Sequence, residues 1–136
     1  METFNKVIVL GRVSREPESR FTPGGVAVTD IRLALLDKRR VASTGEVIND
    51  VTFIDVTTWR ATAKYIGENA KKGSYVLVEG RLHQDDWERD GIKRSKIKIM
   101  ADRAILIEGK DEETNNQPND KTERTEDNVQ IERTDN

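Results

Sequence analysis

Cysteine is absent from the 136 residues, and histidine occurs once, at His83. The first absence excludes disulfides, thiolate zinc sites and cysteine nucleophiles. The second excludes paired-histidine metal sites and leaves little scope for a Ser-His-Asp triad. Aromatic residues make up only 5%. No apolar run approaches the roughly 18 residues that a membrane-spanning helix requires. The opening METFNKVIVLGR has a short apolar stretch that stops at Gly11 without a small-residue cleavage site. It is not a signal peptide, and the chain is expected to be soluble and cytoplasmic.

An excess of positive charge is missing too. Lys and Arg number 23 against 25 Asp and Glu, for a formal net charge of −2. Taken alone, that balance argues against a nucleic-acid binder, whose footprint is basic. The average hides a split. Residues 111–136 hold nine acidic and three basic residues, or −6, whereas residues 1–110 hold sixteen and twenty, or +4. A mildly basic body of 1–110, large enough for one small core, precedes an acidic tail of 111–136. The tail has no aromatic residue, and Val129 and Ile131 are its only large apolar groups. It cannot offset its ordering entropy by burial and is expected to be disordered.

Within the body, residues 4–13 read as a first strand, and Val26–Leu36 alternate as a second, with Ile31, Leu33 and Leu35 on one face. Phe21-Thr22-Pro23-Gly24-Gly25 is turn chemistry, and Asp37–Asp50 read as a long polar loop. Val51–Arg60 form a third strand, and Ala61–Lys72 a helix ended by Gly73. Ser74–Trp87 and Lys93–Ile107 complete the set, hinged at Arg89-Asp90-Gly91. The order β-β-β-α-β-β offers one short helix, too little to cover both faces of an open sheet but enough to plug a small barrel. Gly11 and Gly80 fall mid-strand, where glycine is otherwise costly, and suit bend points. These features predict an all-β fold with one helix, the five-stranded Greek-key OB-fold barrel. A flat sheet with one packed helix is the competing arrangement.

The third strand carries the most functional information. Phe53 and Trp59 share a face with the polar Asp55 and Thr57, while Ile54 and Val56 form the core stripe. Large rings on a polar face can stack unpaired bases, although one exposed ring on a twisted barrel is common. Trp87 lies near a hairpin tip among Asp85, Asp86, Glu88 and Arg89. Arg94, Lys96 and Lys98 form an outward row alternating with Ile97 and Ile99, suited to a phosphate backbone. Lys38, Arg39 and Arg40 open the polar loop, as a flexible basic arm. Arg32 and Arg81 complete the candidate phosphate contacts. His83 reads as a solvated strand residue.

Several motifs resemble one family. Asn5-Lys6-Val7-Ile8, Gly11-Arg12-Val13, Glu16-Pro17-Glu18, Arg20-Phe21-Thr22-Pro23, Thr44-Gly45-Glu46, Lys72-Gly73-Ser74 and Val78-Glu79-Gly80-Arg81-Leu82 occur in the order and spacing of the bacterial single-stranded DNA-binding proteins. The resemblance runs from about Phe4 to Ile107. It implies sequence-independent binding of single-stranded DNA, protecting it in replication, recombination and repair, with no catalysis and no cofactor. It implies base stacking on Phe53, Trp59 and Trp87, with Arg39 at the family's fourth aromatic position. It also implies a homotetramer, with the strand from Asn5 to Leu10 contributing a contact. Family members end in an acidic cluster with Ile-Pro-Phe that docks replication and repair enzymes. Here the end is Gln130-Ile131-Glu132-Arg133-Thr134-Asp135-Asn136, so the apolar anchor of that docking is missing. The alternatives are an accessory, primosomal or RNA-binding barrel using the same surface, and a metal-dependent nuclease built on Asp30, Asp55 and Glu79.

Overall fold

Inward apolar residues alternating with outward polar ones generate most of the secondary structure in the computed structural model, which describes residues 1–108. Along the chain run β1 (Val7–Val13), β2 (Glu18–Phe21), β3 (Ala27–Arg40), β4 (Val47–Trp59), α1 (Arg60–Asn69), β5 (Tyr75–Arg89) and β6 (Ile92–Ile107). The strands are ordered β1-β5-β6-β4-β3-β2, and β1 also pairs with β3 through Arg12↔Ala34 and Val13↔Leu33. That extra pairing closes β1, β3, β4, β5 and β6 into the expected five-stranded barrel with one helix. The tail, 111–136, lies outside the described residues.

The core is Val13, Ile31, Leu33, Val56, Ile66, Val76, Val78, Ile99 and Ala104. In β6 the inward residues are Ile99 and Ala101, then Ala104 and Leu106. The change of parity occurs at Asp102, where the β5–β6 register jumps from Glu79↔Arg103 to Gly80↔Ala101. This bulge bends the hairpin strands, as bulges at barrel corners do. Gly80 sits at the bend because any Cβ there would overlap the Met100 carbonyl oxygen. At Gly11 a Cβ would stand 2.7 Å from Leu35 Cδ2, so both mid-strand glycines answer a close approach.

The helix has weak local signals. Trp59 supplies no side-chain cap, no acidic residue occupies the first turn, and no basic residue the last. Arg60 enters with a left-handed φ of 56°, costing about 1–2 kcal/mol. Tertiary contacts offset this: Ala63 and Ile66 are buried, Thr29 Oγ1 donates to the Ala63 carbonyl at 2.8 Å, and the Leu106 N–H donates to Tyr65 Oη at 3.1 Å. Helices in proteins commonly owe their stability to such packing. The helix ends at Asn69, three residues before the expected Lys72, and Gly73 lies in the turn that follows.

Two compact units are distinguished: Met1–Leu35 with Phe53–Ile107, and a second that contains Leu36–Thr52. In the second, the expected long loop is replaced by strand. β3 continues to Arg40, β4 starts at Val47, and the turn between them is closed by Val41 N–H to the Glu46 carbonyl at 2.8 Å. Charged residues occupy consecutive positions there, so no apolar alternation marked the strands. Glu18–Phe21 is a further unexpected strand, pairing Ser19 with Thr29 and Phe21 with Ala27. The turn proper is Thr22–Gly25, closed by Gly25 N–H to the Thr22 carbonyl at 2.8 Å.

Candidate nucleic-acid interface

The outward residues of β4, β6 and β5 form one continuous face in the first unit. Parallel pairing sets Val56 beside Ile99, so Phe53 and Asp55 flank Lys96 and Lys98. Antiparallel pairing sets His83 opposite Lys98, Asp85 opposite Lys96 and Trp87 opposite Arg94. Directly opposed residues project to the same side of a sheet. The row Arg94–Lys96–Lys98 therefore runs between two ring-bearing strands. Phe53 is 49% exposed and Trp87 43%, ample for a planar group to lie against each.

Two turn residues set the hairpin that carries Trp87. Asp90 (φ 53°) and Gly91 (φ 77°) both take left-handed conformations, the combination of a two-residue type I′ connection. The strands extend to Arg89 and from Ile92, so Trp87 is held within paired β-structure.

Trp59 keeps the face it shares with Phe53 but lies deeper than expected. The contacts Arg32 to Asp55, Asp30 to Thr57 and the Thr29 carbonyl to Thr58 Oγ1 define the β3–β4 register, and its next step puts Val28 beside Trp59. Val28 and Thr57 are buried, Trp59 is half-buried, and its indole Nε1 is enclosed without a hydrogen-bond partner among the described residues. The face is thus open at Phe53 and closes toward Trp59. Alternation identifies the side of a strand but not how deeply each position lies.

Charge on the face is organised by Asp55. Its side chain is only 13% exposed and takes Lys96, Arg32 Nη1 at 3.3 Å and Arg15 Nη2 at 3.9 Å. Burial opposes its ionisation. The Lys96 hydrogen bond and the charges of Lys96, Arg32 and Arg15 outweigh that and hold the carboxyl below its ordinary value. Lys98 Nζ donates to Asp85 at 2.8 Å, a bond that lowers the Asp85 pKa against a smaller opposing effect of burial. His83 Nε2 also lies 3.3 Å from Asp85. The Arg32 guanidinium carbon sits 5.0 Å from the Phe53 ring centroid. Arg81 pairs with Asp102 at 3.3 Å. Among the described residues Arg94 makes no ion pair.

Asp55 was read from the sequence only as a polar residue between two rings and as a nuclease carboxylate. Arg15 was missed altogether, because nothing local ties it to a strand forty residues away. The nuclease grouping does not form. Asp30 receives Thr57 and Arg20, Asp55 its three cations, and Glu79 is held by Lys6, whose hydrogen bond lowers its pKa. No three His, Cys, Asp or Glu side chains among the described residues converge as a metal site.

The second unit carries Lys38, Arg39 and Arg40 on β3. Arg39 Nε donates to Asp50 at 2.9 Å and Arg40 Nη1 to the Gly45 carbonyl at 2.8 Å. The basic segment is a paired hairpin strand, correcting the flexible arm expected from composition.

The sequence pattern of the Single-strand binding protein family matches residues 4–108. A single-stranded DNA-binding protein of Aquifex aeolicus is 37% identical over 103 residues, covering 76% of this chain and 69% of that one. One of Wolinella succinogenes is 35% identical over 108 residues, 79% of this chain and 66% of that one. A crystal structure of a deletion variant of the Thermus aquaticus protein has a TM-score of 0.69 at 33% identity, over 78% of this chain and 51% of that chain. A Plasmodium falciparum SSB in complex with ssDNA shares the fold, with a TM-score of 0.70 at 24% identity over 79% of this chain and 96% of that one. This chain thus spans about two thirds of the first two relatives' lengths and half of the Thermus protein. No helix among the described residues is long and apolar enough to cross a membrane. With its barrel, its ringed basic face and a match running through nearly all of the described residues, the chain belongs to the single-strand binding protein family.

Proposed function

We propose that the chain binds single-stranded DNA without regard to sequence and protects it during replication, recombination and repair, as a cytoplasmic, nucleoid-associated protein. The observation that carries this reading is the placement of exposed Phe53 and Trp87 on either side of the row Arg94–Lys96–Lys98. Every base offers a π-face and every nucleotide a phosphate, so stacking combined with charge neutralisation is indifferent to sequence. Trp59 contributes a ring edge, and Arg39 a guanidinium that stacks when Asp50 releases it. Lys38, Arg40, Arg32 and Arg81 add phosphate contacts. The binding body is 1–110, and 111–136 is its acidic tail.

The action is binding alone, without catalysis. The working form is a homotetramer. Support comes from β1 and its neighbours, where Leu10 pairs with Leu77 and Leu77 with Ile105, leaving Ile8, Leu10 and Ile105 exposed in a row. Such a patch suits a contact between copies.

The test is competition among labelled oligonucleotides of equal length, together with solution mass. Comparable affinity for dT, dA and mixed-sequence strands, weak affinity for duplex and a fourfold mass support the proposal. Preference for duplex or for RNA refutes it.

A further inference from the structure

Three cations of the binding face converge on one carboxylate. Lys96 from β6, Arg32 from β3 and Arg15 from the segment after β1 all reach Asp55, and on its β5 side Lys96 stands opposite Asp85, which holds Lys98. The arrangement is a stripe of alternating sign across three strands, with carboxylates where phosphates of a bound strand would lie. We propose that Asp55, assisted by Asp85, is a built-in phosphate competitor that holds the central cations of the DNA track in the free protein and exchanges them for phosphates on binding.

This rests on the ssDNA reading, since the competitor has meaning only where a polyanion binds. The geometry fits exchange better than a fixed structural pair. The Lys96 and Arg15 side chains are about half exposed or more, so their charged ends can swing away, whereas Asp55 is enclosed and stays in place. Removing every cation would strand a largely buried charge, which is strongly unfavourable. Arg32, the least exposed of the three and seated over Phe53, is the cation that remains. Asp55 thus sets how many positive charges the face offers a strand. Two are released and one is kept, so the protein binds less tightly than its count of Lys and Arg implies.

The test is titration of wild type, Asp55→Asn and Asp85→Asn with a dT oligonucleotide across a salt series, circular dichroism verifying the fold. For Asp55→Asn the expected result is affinity raised roughly 3- to 10-fold at low salt, converging with wild type at high salt. The log–log salt dependence should steepen by about 0.7 for each additional phosphate neutralised. Asp85→Asn should move the same way by less, because the Asp85 carboxylate is more exposed than that of Asp55 and holds one lysine instead of three cations. Unchanged or weaker binding by a folded Asp55→Asn overturns the proposal. If that variant fails to fold, Asp85→Asn decides by the same criterion. Wild type that does not bind dT refutes the function itself, which separates the two failures.

Discussion

The guanidinium of Arg32 lies over the Phe53 ring at 5.0 Å from its centroid while donating Nη1 to Asp55 at 3.3 Å. A single ion pair therefore fixes a cation on one side of an exposed ring. In the proposed binding mode a base stacks on the other side, and the guanidinium adds its own attraction for the π-system.

Phe53→Ala and Trp87→Ala are each expected to weaken ssDNA binding by about 1–3 kcal/mol. Trp87 lies on an exposed hairpin, so its loss should leave the thermal midpoint nearly unchanged. Oligonucleotide titration and thermal unfolding of both variants check this. Wild-type affinity in both would remove stacking from the account.

Trp59→Ala should behave differently. With Val28 beside it and its indole Nε1 enclosed, Trp59 is partly a packing residue. The substitution is expected to cost about 3 kcal/mol of stability, the low end of the range for truncating a core ring, because Trp59 is only half-buried. Urea unfolding beside Trp87→Ala separates the two roles. Equal stability of the two variants would contradict the difference in burial.

Gly80→Ala should destabilise by about 1–3 kcal/mol or more, because a methyl group must displace the Met100 backbone at the bulge. The same measurement at Gly24, where the nearest atom to an added Cβ is 3.9 Å away, should show almost nothing. Matching losses at both positions would show that the bend does not depend on the missing side chain.

Asp55 makes stability depend on acid. Its folded pKa is lowered, so the unfolded chain binds the proton more readily. The stabilisation is complete above the ordinary value of 3.8 and is lost as pH falls from there through the lower folded value. Thermal unfolding of wild type and Asp55→Asn between neutral pH and strong acid should show a stability difference that narrows on acidification. A difference that grows as pH falls would reverse the sign and contradict the ion-pair assignment.

Much of this was legible in the sequence because a barrel writes its faces as alternation. Ile31 and Leu33 on one side and Arg32 on the other, or Lys96 and Lys98 between Ile97 and Ile99, need only period two. Asp90-Gly91 announces its hairpin by residue type, and Gly11 and Gly80 marked close approaches by the absence of a side chain. Depth and long-range charge were not legible. Trp59 shares its face with Phe53, yet it sits beside Val28 through a register set by Asp30, Thr57, Arg32 and Asp55, which strand periodicity does not encode. The three cations on Asp55 come from positions 15, 32 and 96 and meet only once the barrel closes. The strand through Lys38, Arg39 and Arg40 has no apolar stripe, so backbone pairing forms it where composition reads as loop.

The most direct test of the central claim is fluorescence of Trp59 and Trp87 during titration with poly(dT) at several salt concentrations. Saturable quenching is expected, with an observed affinity that falls linearly on a log–log plot against salt, as phosphate neutralisation requires. Fluorescence that does not respond to the strand, or an affinity indifferent to salt, would contradict a face built from rings and cations.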